Sequence, residues 1–304
     1  MIKKEWRHFK RNRELFVMSL PAIVYKLLLS YLPMLGLVIA FKQYRYDLGV
    51  FGSEWVGLKN FKFFFNSDTA FIVTRNTILY NLAFIVLTIL IALTLAILLN
   101  ELSRKWIKVH QTVLFLPYFL SWVVVGYVVL AFLDHKNGFL NVILGLFGQD
   151  AIKWYEQAQY WPVIITITQL WKSVGFSTLI YYAGMLSIDS SYYEAAKIDG
   201  ANRWQMIRKI TIPTLMPLIV ILFIIDVGKI FRADFGLFYF IPNDSSFLYS
   251  TTDVIDTYVY RSLRVVGDIG MSTAIGLYQS VVGFILVLLA NWVVKKINSD
   301  NALW

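Results

Sequence analysis

The hydrophobic pattern of this chain is one of long blocks rather than of fine periodicity. Six stretches stay apolar for about 20 residues or more, the length that crosses a hydrocarbon core about 30 Å thick. They are residues 15–41, 77–99, 109–133, 161–186, 212–230 and 271–294. A helix that is apolar all round has no face for water, so each block predicts a helix surrounded by lipid or by other helices. The second block, "TILYNLAFIVLTILIALTLAILL", carries no charge at all, whereas the first holds Lys26, the fourth Lys172, and the fifth Asp226 and Lys229. The predicted fold class is all-α, a polytopic membrane protein with six transmembrane helices. No internal repeat, low-complexity tract or second soluble domain interrupts the blocks.

Composition agrees with that reading. Charged residues are 15% of the 304-residue chain and hydrophobic ones 58%, against about 25% charged in an ordinary globular domain. There is no cysteine, which excludes disulfides, thiol catalysis and cysteine-ligated metals. The net charge of +9 could signal nucleic acid or a membrane surface, and its distribution decides. With six spans both termini share a side. Placing them inside gives that side 15 Lys and Arg against seven Asp and Glu, while the outer loops hold 11 of each when Lys229 is counted outside. The positive-inside rule therefore predicts residues 1–14 and 295–304 in the cytoplasm, flanking a six-helix transmembrane domain over 15–294. The excess charge is topological, and no nucleic-acid role is expected. The first block is too long for a signal-peptide core and reads as an uncleaved span in a bacterial cell membrane.

The outer loops are rich in aromatics that suit a membrane–water boundary: Trp55, Phe63, Phe64, Phe65, Trp154, Tyr155, Tyr258 and Tyr260. "GFLNVILGLFG" predicts a short helix lying on the outer surface.

The densest run of charge and small residues, "EAAKIDGANRWQMIRKITIP", falls between the fourth and fifth blocks on the predicted cytoplasmic side. "SSYYEAAKIDG" reads as a helix capped by Ser190 or Ser191 and ended by Gly200. "ANRWQMIRKI" reads as a second short helix, stopped or kinked by Pro213. Together they predict a compact two-helix knob over about residues 190–211. Its spacing, E-A-A, three residues, Gly, nine residues, Ile-x-Leu-Pro, resembles the cytoplasmic signature of the permease subunits of ATP-binding-cassette (ABC) importers. Glu194, Ala195, Ala196, Gly200, Ile210 and Pro213 match in register, with Ile212 in place of the usual Leu. The resemblance implies that these residues, with Asp199, form coupling helices docking on an ATPase subunit. It also implies a second homologous permease in a heterodimer, two ABC ATPase subunits that bind ATP and Mg, and an extracellular solute-binding protein. "LPAIVYKLLLSYLPMLGLVIAFKQY", "WVGLKNF" and "TTDVIDTYVY…GDIGMSTAIGLYQSVVG" look like carbohydrate permeases, in the branch handling oligosaccharides from plant or algal polysaccharides. The likeness spans nearly the whole chain, but the loop motif is its sharp part.

Charge inside a span needs a partner or a watered path. In "TQLWKSVGF", Gln169, Lys172, Ser173 and Phe176 share one helical face, with Trp171 beside it. Asp226, Lys229 and Ala233 follow the same spacing if the fifth helix extends so far. Counted from the motif, Gln169, Ser173, Phe176 and Asp226 fall where the resemblance to a maltose permease implies sugar contact. Such a face offers donors, acceptors and a ring, and a cation there suits a uronate-bearing oligosaccharide. The alternative is that Asp226, Lys229 and Lys172 neutralise one another across a helix interface. Lys26 is read as snorkelling or paired within the bundle. His8, His110 and His135 lie far apart, so no metal site is expected, and no G-x-x-x-x-G-K-[ST] motif supplies a nucleotide site. The rival readings are an integral-membrane transferase, for which Asp253 and Asp256 are the acidic candidates, and a secondary transporter, which should show inverted repeats and broken helices.

Overall fold

The computed structural model describes residues 12–297 and 302–303, without the side chains of Phe63, Phe64 and Arg104. The chain forms two compact units, one of residues 1–66 with 262–277, the other of 67–261 with 278–304. In the first, α1 (Arg13–Lys26) continues through a wide turn and a tight 3₁₀ stretch to Phe41. None of its apolar window is buried, although Ala40 at its far end is. Lys26 makes no ion pair among the described residues. A two-stranded antiparallel pair, β1 (Lys42–Gln43) with β2 (Glu54–Trp55), follows. It is tied down by Asn60, whose amide donates to the carbonyls of Ala40 (2.9 Å) and Lys42 (3.0 Å).

In the second unit, α2 (Asp68–Asn100) starts at Ser67, whose hydroxyl accepts the Ala70 N–H at 3.2 Å. It packs along α6 (Trp161–Leu186), whose bounds coincide with the fourth apolar block. The small residues Ala92 and Ala96 let the helices approach, and Tyr181, Tyr182 and Met185 fill the seam. Hydroxyls inside the bundle are satisfied locally: Thr77, Thr168 and Thr178 each donate to the carbonyl four residues back. In a lipid-surrounded helix this is the cheapest partner available.

The third block departs from expectation. Instead of one helix over 109–133, α3 (Arg104–Phe115) gives way to a 3₁₀ turn at Leu116–Phe119, and α4 (Trp122–Leu133) leaves at 99°. Pro117 cannot donate to an α-helical ladder, and Ser121 restarts the chain by accepting the Val124 N–H at 3.3 Å. Five helices are therefore long and apolar enough to cross a membrane, or six if the bent pair counts as one. Broken helices, which the sequence did not disclose, are present. At the break α6 lies against α3 so closely that a Cβ on Gly175 would collide with the Leu114 carbonyl. Gly175→Ala is expected to cost about 1–3 kcal/mol through overpacking, read as a lower Tm of the purified protein. An unchanged Tm would mean that the two helices part freely.

The predicted outer-surface helix is α5 (Phe139–Leu146). Phe139, Val142, Leu146 and Phe147 are exposed on one side, while Asn141 is buried and binds the backbone at Asp134, His135 and Ile152. Of the loop aromatics, Trp55 is exposed and stacks on Phe41. Trp154, Tyr155 and Tyr260 instead pack on Tyr160, Trp161 and Phe235 within the loops. The last span is α12 (Ile269–Ile297).

Candidate functional site

Two sets of residues come together, one at each predicted end of the chemistry. The first is the charged loop. Its helix α7 (Ser190–Ile198) is capped by Asp189, which accepts the Ser191 N–H at 2.9 Å, rather than by Ser190 or Ser191. A carboxylate one residue earlier reaches the first free N–H groups with a full charge. Gly200 ends the helix at φ +77°, with the Ala201 N–H returned to the Ala196 carbonyl at 2.9 Å. Asn202 and Gln205 then form a reciprocal capping box that starts α8 (Arg203–Met206).

From there the chain does not stop or kink at Pro213 as the sequence suggests. A wide turn at Ile207–Thr211 carries α8 directly into α9 (Ile212–Val227), one helix of 25 residues. Proline withdraws the donor that the carbonyl four residues back would need, and a turn bonded five residues back relieves that demand. The knob is thus one free helix and the protruding end of a span. Between them lies a hollow of about 370 Å³ lined by Ala196, Asp199, Gly200, Gln205, Lys209 and Ile210. Tyr193 is fixed to Thr211 by a 2.9 Å hydroxyl contact, and Arg203 pairs with Glu101 at the end of α2. Ala195 and Glu194 are exposed, and Glu194 makes no hydrogen bond or ion pair among the described residues. The motif did not point to the apolar side chains around it, yet Ile198 is 87% exposed, Trp204 69% and Tyr192 62%.

The second set lies on α6. Gln169, Lys172, Ser173 and Phe176 fall on one face of α6, from which Lys172 and Phe176 reach the break between α3 and α4. Lys172 Nζ donates to the Tyr118 carbonyl at 2.9 Å, a carbonyl freed by the break, and stands over the rings of Tyr118 (5.4 Å) and Trp122 (5.0 Å). Phe176 stacks on Tyr118 at 4.7 Å. Ser173 bonds back to the Gln169 carbonyl at 2.8 Å, and Gln169 Oε1 is buried with no hydrogen-bond donor. Trp171, exposed, lies about 150° round the helix from the centre of this face, nearly opposite it. Tyr118, Trp122 and the Asp234 carboxylate beneath it were hidden inside apolar or loop sequence, where Pro117 and Ser121 were the only cues.

Asp226 and Lys229 do not join that set. Helix α9 ends at Val227, so the i, i+3, i+7 relation with Ala233 fails. The cause is a close crossing: a Cβ on Gly283 would lie 2.6 Å from the Gly228 carbonyl oxygen. The turn that follows is held by side chains, with Asn81 donating to the Ile230 and Arg232 carbonyls (both 3.0 Å) and Gln279 to that of Phe231 (2.6 Å). No ion pair within 4 Å joins Asp226, Lys229 and Lys172, although the Lys229 charge acts on the Asp226 carboxylate. Asp226 also acts electrostatically on Tyr181, nine residues and about 14 Å along α6 from Lys172.

Asp253 and Asp256 are committed to the fold. Buried Asp253 pairs with Arg261 and accepts the Thr257 hydroxyl at 2.6 Å. Asp256, on α11 (Ile255–Arg261) after α10 (Phe235–Phe240), accepts the Ala233 N–H at 2.7 Å and the Gln279 amide at 3.2 Å. No group of three His, Asp or Glu among the described residues could hold a metal ion, and His8 lies outside them. Burial pushes the Asp256 carboxyl above its ordinary value, outweighing those hydrogen bonds. A raised folded-state value favours folding fully at pH below the unfolded-state value and is lost as pH rises through the folded one. Asp256→Asn, which imitates the protonated acid, is therefore expected to raise Tm at neutral pH and to leave it unchanged near pH 4. Equal Tm shifts at both pH values would count against a buried, hard-to-ionise carboxyl.

Known proteins match this arrangement along its whole length. Residues 88–299 match the family described as the binding-protein-dependent transport system inner membrane component. The polygalacturonan/rhamnogalacturonan transport system permease YteP of Bacillus subtilis (strain 168) is 35% identical over 292 residues, 96% of this chain and 90% of that protein. A crystal structure of a bacterial ABC transporter involved in import of the acidic polysaccharide alginate superposes with TM-score 0.85 at 33% identity, covering 97% of this chain and 99% of that one. A second, the alginate transporter in complex with an alginate pentasaccharide-bound periplasmic protein, gives 0.86 at 33% identity over 96% and 97%. This chain is a multi-pass membrane protein and belongs to the family of binding-protein-dependent transport system inner membrane components.

Proposed function

We propose that the chain is one of two homologous permease subunits of an ABC importer for oligosaccharides, uronate-bearing ones included. The observation that carries the reading is the exposed Glu194–Pro213 hairpin, whose second arm is continuous with a span. A soluble motor that closes on such a hairpin moves the span with it, so ATP hydrolysis in partner subunits drives alternating access. Two ATPase subunits, with ATP and Mg, dock there, which places both termini in the cytoplasm. An extracellular binding protein delivers the sugar to the other side. The unburied first span supports a second permease, because one such bundle does not enclose an oligosaccharide-sized path. The cargo meets the Gln169–Phe176 face. The buried Gln169 Oε1 lacks a donor, a cost of about 1–3 kcal/mol that a sugar hydroxyl relieves. A pyranose stacks on Phe176 or Tyr118. The acidic glycans named for the relatives favour a cationic contact at Lys172.

Two measurements test this. Purification of the tagged chain is expected to bring an ABC ATPase and a second permease with it. Cells lacking the gene are expected to lose uptake of uronate-bearing oligosaccharides from a panel that also contains neutral ones. Retention of all uptake, or a chain purified without an ATPase, overturns the reading.

A further inference from the structure

Lys172 is a cation within a span that has no carboxylate partner, and the way it is held shows which residues aim it. Its ammonium is fixed by one carbonyl, that of Tyr118 at 2.9 Å, and by the faces of Tyr118 and Trp122. Carbonyl and ring faces stabilise a positive charge without cancelling it. The acid that acts on Lys172 electrostatically is Asp234, but its two oxygens are engaged elsewhere. Oδ2 takes the Trp122 indole N–H at 2.8 Å, and Oδ1 takes the N–H groups of Gly236 (2.9 Å) and Leu237 (3.4 Å) at the start of α10. The two make no ion pair within 4 Å among the described residues. Asp234 thus grips the edge of the indole whose face meets the ammonium. Gly236 makes room for that grip, because a Cβ there would collide with the Trp122 ring.

We propose that Trp122, held by Asp234 across Gly236, is the positioning residue that keeps Lys172 extended and unneutralised, so that it receives the carboxylate of a uronate and sets selectivity for charged over neutral oligosaccharides. This rests on the substrate face assigned above. The position of the pair in the fold supports the assignment. Trp122 opens α4 directly after the break, and Asp234 opens α10 directly after the turn held by Asn81, Gln279 and Asp256. A displacement of either helix start therefore changes where the ammonium points, while leaving its charge intact.

The test is uptake kinetics of the complete transporter, with its own ATPase, partner permease and binding protein, in proteoliposomes. The probes are trigalacturonate and its fully methyl-esterified, neutral form. The binding protein is the same throughout, so changes in the charged-to-neutral ratio between variants report on this chain. Trp122→Phe keeps an aromatic ring but loses the indole N–H and part of the face under the ammonium. It is expected to raise KM for trigalacturonate about tenfold, which is about 1.4 kcal/mol, with Vmax and the neutral probe unchanged. Asp234→Ala and Gly236→Ala are expected to do the same. Asp234→Asn has one carbonyl oxygen in place of two, so it keeps either the indole N–H bond or the cap of α10 but not both, and its charged-to-neutral ratio is expected to fall between those of wild type and Asp234→Ala. Combining Trp122→Phe with Asp234→Ala should cost less than the sum of the two, because they share the indole N–H bond, beyond which the first loses the fused ring and the second the cap of α10.

Equal losses for the charged and neutral probes overturn the proposal, since they mark a role in folding alone. So do additive effects in the double variant. Lys172→Gln separates this proposal from the reading beneath it. If Lys172→Gln lowers the charged-to-neutral ratio while Trp122→Phe leaves it alone, the positioning role falls and the substrate face stands. If Lys172→Gln transports both probes at the wild-type ratio, the carboxylate contact at Lys172 falls and the positioning role with it.

Discussion

Gly200→Pro is expected to abolish sugar uptake while leaving ATP hydrolysis in place. Gly200 sits at φ +77° and donates its N–H to the Lys197 carbonyl at 3.1 Å. Proline fixes φ near −65° and has no N–H, so the turn between α7 and α8 cannot form. The hollow lined by Ala196, Asp199 and Ile210 then opens, and α7 no longer moves as one body with α9. Uptake should fall by at least about 100-fold, equivalent to about 2.8 kcal/mol. Glu194→Ala gives the same phenotype by a cleaner route. Its carboxylate is exposed and has no partner among the described residues, so its loss should change folding stability by no more than about 0.5 kcal/mol. The measurement is uptake and ATP turnover side by side in proteoliposomes. If Glu194→Ala preserves transport at an unchanged Tm, the carboxylate is not a docking contact.

The second large effect is expected at Lys172. Replacement by Gln keeps a donor for the Tyr118 carbonyl but removes the charge. Losing one partner of a desolvated charge pair costs about 2 kcal/mol or more, roughly 30-fold. Uptake of a uronate-bearing oligosaccharide should fall by that factor and uptake of a neutral one by far less. Phe176→Ala should affect both, because stacking on the Tyr118–Phe176 pair is indifferent to charge. If Lys172→Gln leaves acidic uptake unchanged while Phe176→Ala abolishes it, the face binds sugar rings and ignores their charge.

The path residues divide by how local their geometry is. Gln169, Lys172, Ser173 and Phe176 fell on one face as expected, because α6 is a single regular helix from Trp161 to Leu186 and spacing alone sets its faces. Asp226, Lys229 and Ala233 did not. The helix carrying them ends where Gly228 meets Gly283, a contact between residues 55 positions apart in the chain. The break at Leu116–Phe119 was concealed for a related reason. Lipid-facing and lumen-facing segments can be equally apolar, so hydropathy records length and not direction.

By itself, then, the sequence determined what local rules can decide. These are the membrane-spanning blocks, the spacing of Glu194, Ala195, Ala196, Gly200, Ile210 and Pro213, and the shared face on α6. Such features rest on burial in lipid and on backbone preferences within a few residues. Only the tertiary structure decided that the loop's second arm is continuous with α9, that Lys172 meets rings and a freed carbonyl rather than Asp226, and that Asp234 holds Trp122 against it. Those outcomes depend on which backbone groups a broken helix leaves unpaired and on which distant side chain reaches them.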